Sequence, residues 1–423
     1  MHARSWSLTV PLAVVLLSLA GLVSCSSPMG GSEDVLSSAL PQERGGQETF
    51  GPYELVENWP RGLPDGPDGV THAGWTWGSM GSVYAESPDR IWIAMRGELP
   101  LPEGAEPWTP YALLNPSRGN APATDDNGNR GYERRYHHVI FVVDGDGNLV
   151  QDWPQHDELF AKRGGRGPHK IKMSPYDPDK HVWVVDDNQH QIFKFTYDGE
   201  LVMTLGESMM PGRDGNHFSR PTDIAWLPDG TFFISDGYVG KRVAKFDPDG
   251  NFLMDWGVAP ADPSNPGPNE FNTVHSIAVS ADRRVFVVDR GHGRVQVFDE
   301  NGEFLDMFYT GPRGEGDPAG GGGVVSRPYA HLITADQYLW ISDGGTHRIL
   351  KYDLDGNYLY GWGGPGSQPG QFSGPHALTV DQDGNLYTAE VFNGRVQKFR
   401  PKPNADPAKL IGQEVRLGAT SSN

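Results

Sequence analysis

The sequence predicts an all-β chain: a six-bladed β-propeller whose ring is closed by an N-terminal strand. Three observations carry this. Glycine (55) and proline (35) are abundant and aromatics reach 11%, a mix that suits many short strands joined by turns. A turn motif recurs at near-constant spacing. The last repeat lacks a fourth strand, and a segment near the N-terminus resembles the missing one.

The repeats are plain. Five segments each run from a β-rich stretch through an Asp-Gly or Asn-Gly turn into a short apolar strand: VIFVVDGDGNLVQDW, IFKFTYDGELVMTLG, VAKFDPDGNFLMDWG, VQVFDENGEFLDMFY and ILKYDLDGNYLYGWG. Their turn residues Asp146, Asp198, Asp249, Asn301 and Asp355 lie 52, 51, 52 and 54 positions apart. Asp-Gly and Asn-Gly supply the positive φ angles that two-residue hairpins demand. Blade three shows four expected strands, Thr222–Leu227, Thr231–Ser235, Arg242–Phe246 and Phe252–Trp256. Four strands repeated six times make a propeller. A chain of 423 residues exceeds one ordinary compact domain, but repeat architectures escape that bound because each unit packs on its neighbours. The sixth repeat runs from Gly374 to Phe399, and Tyr53–Trp59 (YELVENW, compare NFLMDWG) is expected to complete it. Closure removes exposed edges. Insertions fall at Pro100–Arg135, Gly206–Ser219, Val258–Asn272 and Thr310–Ser326.

Four segments follow. Residues 1–25 read as a targeting signal: Arg4, an apolar run from Leu8 to Val23, then Leu22-Val23-Ser24 before the single cysteine, Cys25. That is the layout of a secretory signal. It resembles a bacterial lipobox, which implies lipidation at Cys25, export, and anchoring to the cell envelope. Ser26 after the cysteine favours the outer membrane in a cell that has one. Residues 26–50 read as a flexible Ser/Gly-rich tether, 51–402 as the propeller, and 403–423 as a disordered tail. One cysteine permits no intrachain disulfide. A net charge of −19 gives no basic footprint for nucleic acid and suits solubility. A monomer is expected.

The innermost strand of each propeller blade lines the central channel. Aligning the starts of those strands gives His169, Thr222, His275, Tyr329 and His376 for blades two to six. The histidines stand in matching motifs, PHKI, VHSI and PHAL, on alternate blades. Alternate blades of a six-fold ring are related by about 120°, so three imidazoles converge on the axis. That arrangement matches a three-histidine metal site with an open fourth position. The alternative is a set of polar channel residues holding water. His190, His292 and His347 in blade turns, His137 and His138 before a strand, and His331 along the channel are expected to be structural.

The third strands share a signature, HQIFKF, KRVAKF, GRVQVF, HRILKY and GRVQKF, which resembles the NHL repeat from Trp75 to Phe399. Residues 205–257 are more specific. NHFSRPTDIA and SDGY there, with GPHKIKM, VVDRGHGRVQVF and GPHALTV in the flanking blades, closely resemble the catalytic domain of the peptidyl-α-hydroxyglycine α-amidating lyases. That resemblance implies a zinc lyase converting a hydroxyglycine carbinolamide to an amide and glyoxylate. It implies zinc ligands His169, His275 and His376, and catalytic roles for Tyr238 (SDGY), Arg290 (DRGHGR) and, by looser alignment, Arg96 (AMRGE). A tyrosine beside metal and arginine suits a base, since nearby positive charge favours its ionised form. Arginines suit a carboxylate. Two departures stand out. The family's disulfides are absent, and Ala377 replaces the acidic calcium ligand beside the last zinc histidine, which puts calcium in doubt.

Two other functions remain open at this point. One is a non-enzymatic NHL propeller binding peptide, glycan or an envelope protein. The other is a metal-dependent hydrolase or lactonase on the same scaffold. A G-x-S-x-G nucleophile elbow is absent, and Gly320–Gly323 lacks the Lys-Ser/Thr of a phosphate-binding loop.

Overall fold

The computed structural model describes residues 44–45, 50–65, 71–100, 135–161, 167–311 and 326–414. The targeting segment with Cys25, most of the tether, most of the Pro100–Arg135 insertion and the Gly320–Gly323 run lie outside the described residues.

Six four-stranded antiparallel sheets form the blades of a β-propeller. Blade one comprises Met80–Ser87, Arg90–Met95, Ile140–Val143 and Leu149–Asp152; blade two, Lys170–Met173, Val182–Asp186, Gln191–Phe195 and Leu201–Leu205. Blade three comprises Pro221–Trp226, Phe232–Asp236, Arg242–Phe246 and Phe252–Trp256; blade four, Val274–Val279, Val285–Asp289, Arg294–Phe298 and Phe304–Tyr309. Blade five comprises Pro328–Ile333, Leu339–Asp343, Arg348–Tyr352 and Tyr358–Trp362, with Arg44–Gly45 added in parallel at its outer edge. Blade six comprises Pro375–Val380, Leu386–Glu390 and Arg395–Pro401, and its fourth strand is Tyr53–Leu55. That strand pairs antiparallel, Tyr53 with Pro401 and Leu55 with Phe399, so the ring closes as the sequence predicts.

The apolar core is divided among the seams between blades. Each hydrophobic cluster joins two successive blades: Trp92 and Val142 with Ile171 and Phe193, Trp183 and Ile192 with Ile224 and Phe246, Val243 and Trp256 with Ile277 and Phe298. The series continues through blades five and six and ends with Val83 and Phe141 of blade one against Ala377 and Tyr387 of blade six. Among the described residues all six seams are filled, which suits a closed ring of units that cannot bury their faces alone.

The third-strand signature has a structural cause. Arg242 is fully buried, with Nε 3.0 Å from Asp236 at the end of the second strand, while its Nη atoms donate to the carbonyls of Arg213, Asp214 and His217. Arg294 repeats this with Asp289 and the carbonyls of Pro266, Gly267 and Glu270. Arg395 does so with Glu390 and the carbonyls of Ser367, Gln368 and Gln371. In these three blades one guanidinium satisfies the polar backbone of the loop that precedes the inner strand, using the several donors that only arginine offers.

The tail expected to be disordered is ordered as far as Glu414. Ile411 is buried against Tyr53 and blades five and six, and its N–H donates to the Tyr53 hydroxyl at 2.9 Å. Gln413 donates to the Asp381 carbonyl at 2.6 Å. The burial of one isoleucine and these hydrogen bonds offset the cost of ordering a polar segment.

Candidate metal centre

The inner strands carry a common irregularity that builds the site. The pairing register shifts between Met80 and Ser82, Pro221 and Asp223, Val274 and Ser276, Pro328 and Ala330, and Pro375 and Ala377. The skipped residues are Gly81, Thr222, His275, Tyr329 and His376. A bulged residue leaves the ladder and is re-aimed. His169 stands at the matching place just before the inner strand of blade two.

The three histidines from alternate blades meet on the axis. Their ring centroids are 4.6 to 4.9 Å apart, and one nitrogen from each lies within 4.8 Å of the others. Each Nδ1 is held by a backbone carbonyl of the next blade: His169 by Thr222 at 2.6 Å, His275 by Tyr329 at 2.5 Å, His376 by Gly81 at 2.7 Å. A carbonyl only accepts, so each Nδ1 carries the proton and each Nε2 presents a lone pair. Nε2 of His376 is buried without a partner. Burial, then neighbouring positive groups, hold all three imidazoles well below the usual histidine pKa. Three neutral, carbonyl-anchored imidazoles whose Nε2 lone pairs converge could hold a divalent metal ion, with the carbonyls as the supporting shell.

Tyr238 stands beside this triad. Its hydroxyl is 3.1 Å from Nε2 of His169 and 3.0 Å from Nε2 of His275. The turn that carries it is tight: a Cβ on Gly237 would meet the Val274 carbonyl oxygen at 1.4 Å. Arg290 lies over the Tyr238 ring at 4.9 Å, with Nη1 3.5 Å from the hydroxyl. Arg96 is buried, with Nε donating to the Pro168 carbonyl at 3.0 Å and Nη2 3.4 Å from Asp187. Of the six residues expected at the site, the three histidines, Tyr238 and Arg290 form one cluster. Arg96 is anchored on the carbonyl of Pro168, next to His169 in the chain, and its charge is among those that depress the His169 and His376 pKa values.

Two residues that sequence reasoning did not single out belong here. Arg220 lies 4.2 Å over the Tyr238 ring and pairs through Nε and Nη2 with Asp187. Asp187 is fully buried and shared with Arg96. The one signal available was position, since Arg220 precedes the inner strand of blade three in the SRPTDIA stretch. The other histidines have separate settings. Nδ1 of His190 accepts from the Arg220 N–H and Nδ1 of His347 from the Gly374 N–H, each bracing the next blade. His292 contacts Asp289, and His138 contacts Asp152. His331 lines a cavity of about 100 Å³ farther along the channel, with Lys170 and Lys172.

The NHL repeat family matches residues 271–298 and 372–399. Peptidyl-alpha-hydroxyglycine alpha-amidating lyase 1 of Drosophila melanogaster is 30% identical over 68% of this chain and 54% of its own length. Peptidyl-glycine alpha-amidating monooxygenase of Mus musculus is 40% identical over 55% of this chain and 23% of its own. NHL repeat-containing protein 3 of Mus musculus is 29% identical over 57% of this chain and 69% of its own. The matches therefore span about half of the Drosophila lyase and about a quarter of the mouse monooxygenase. The chain is a six-bladed β-propeller with NHL repeats that resembles the peptidyl-alpha-hydroxyglycine alpha-amidating lyases.

Proposed function

We propose that the protein is a zinc-dependent lyase that cleaves an α-hydroxyglycine-type carbinolamide into an amide and glyoxylate. The observation that carries this reading is the convergence of three neutral Nε2 atoms, the Tyr238 hydroxyl and the Arg290 guanidinium on one small volume. Similarity to proteins named as amidating lyases supports it.

His169, His275 and His376 would hold the zinc, which supplies Lewis acidity that makes a bound hydroxyl easier to deprotonate. The other roles belong to the chain. Tyr238 takes the proton from the substrate hydroxyl. The C–O bond becomes a carbonyl, the C–N bond breaks, and the proton ends on the departing amide nitrogen. No electrons leave the substrate. Arg290 faces the carboxylate that becomes glyoxylate, and the buried Arg96 keeps positive charge near His169. Export and attachment through lipidated Cys25 complete the proposal.

The test is glyoxylate release from a peptide ending in α-hydroxyglycine, with the zinc-loaded full chain. Release is expected. Hydrolysis of a lactone or ester without glyoxylate release would replace the lyase by a hydrolase.

A further inference from the structure

The geometry points to Arg220 as a second carboxylate-binding arm beside Arg290 at the Tyr238 ring, and hence to a substrate whose anionic group is gripped by two guanidinium groups. This inference rests on the proposal that the site takes α-hydroxy carboxylates. Four observations carry it. Both guanidinium groups lie against the same ring, their carbons 4.2 and 4.9 Å from the Tyr238 centroid. The two carbons are therefore no more than about 9 Å apart, a span that one carboxylate bridges with charge-assisted contacts of about 2.8 Å on each side. Asp187, fully buried, engages Nε and Nη2 of Arg220, while Nη1 has no hydrogen-bond partner among the described residues. The pairing fixes the fork and leaves one edge for a ligand.

The third observation is exposure. The Arg220 side chain is 26% exposed, so it is held in place yet reachable, unlike Arg96 at 1%. The fourth is the backbone. Arg220 has φ +66°, and the same position in blades two and six is occupied by Gly167 at +70° and Gly374 at +62°. An arginine in a left-handed conformation that glycine adopts freely is a local cost, and such costs gather at functional sites. The Arg220 carbonyl meanwhile accepts from the N–H groups of Gly237 and Tyr238. The backbone thus supports the Tyr238 turn, and the side chain is a separate device.

Binding to the zinc-loaded full chain separates this role from turnover. Glycolate and glycolamide share an α-hydroxyl and differ in the carboxylate. The wild-type protein should bind glycolate more tightly than glycolamide by calorimetry. Arg220→Gln should weaken glycolate by about tenfold, the size of one lost charge-assisted contact, and leave glycolamide within about twofold. Arg220→Lys, which keeps the charge without the fork, should fall between. Unchanged glycolate binding in Arg220→Gln, equal weakening of both ligands, or no preference for glycolate in the wild type would each overturn the assignment. If the glycolate difference holds while no glyoxylate is released from a hydroxyglycine peptide, the arm stands and the lyase does not.

Discussion

The phenolic oxygen of Tyr238 lies 3.0 Å from Nε2 of His275. It is also 3.1 Å from Nε2 of His169. One hydroxyl has one proton, and both nitrogens present lone pairs because their Nδ1 atoms are bound to carbonyls. The hydroxyl can satisfy only one of them, and a metal ion shared by the three Nε2 atoms would complete the cluster. Tyr238→Phe should therefore keep stoichiometric metal while turnover falls by about 10²- to 10⁴-fold, the usual range for a lost general base. Steady-state kinetics with metal analysis of the same sample checks both halves, and full activity in the phenylalanine variant would remove Tyr238 from the chemistry.

His331 should be one of the groups through which acid destabilises the fold. Burial pushes its pKa down to about 3 from the ordinary 6.5. A base depressed in the folded state contributes stability that is whole above pH 6.5 and lost as pH falls toward 3. At pH 5 that loss is roughly 2 kcal/mol. In urea unfolding of wild type and His331→Gln, the gap between the two should shift by about 2 kcal/mol in favour of the variant from pH 7 to pH 5. A gap that does not move with pH would contradict this.

The buried arginines of the third strands should matter far more than surface pairs. Arg294→Met leaves Asp289 buried without its main cation and orphans three loop carbonyls. A loss of about 3 to 5 kcal/mol is expected. Arg400→Ala removes a pair with Glu54 in which the arginine is 62% exposed, and should cost less than about 1 kcal/mol. Comparable losses in the two variants would refute the assignment of the repeat signature to loop anchoring.

Truncation after Lys402 should destabilise the ring at its closing blade. It removes buried Ile411, leaves the buried Tyr53 hydroxyl without its backbone donor, and frees Lys351 from the Ala408 carbonyl. About 2 to 4 kcal/mol is expected from the apolar burial and the lost hydrogen bonds. An unchanged melting temperature would mean that the tail is a passenger.

Much of this was legible in the sequence because repeats make position informative. His169, His275 and His376 could be aligned before their geometry was known, and YELVENW could be recognised as a stray fourth strand. Contacts between blades were not legible. The carbonyls of Gly81, Thr222 and Tyr329 that orient the histidines come from neighbouring blades, and nothing local marks them. A Cβ on Gly81 would meet the Pro168 carbonyl oxygen at 2.5 Å, yet it reads as one glycine among many. Asp187 and Arg220 are 33 residues apart and meet only through the packing of blades two and three. The ordered tail was missed because one buried Ile411 is invisible in a polar segment.

Metal stoichiometry most directly tests the central claim. Elemental analysis of the purified full chain, beside His275→Gln, is expected to find about one zinc per wild-type chain and essentially none in the variant, with both proteins still unfolding cooperatively. A wild-type protein without stoichiometric metal, or a variant that retains it, would contradict a centre built from His169, His275 and His376.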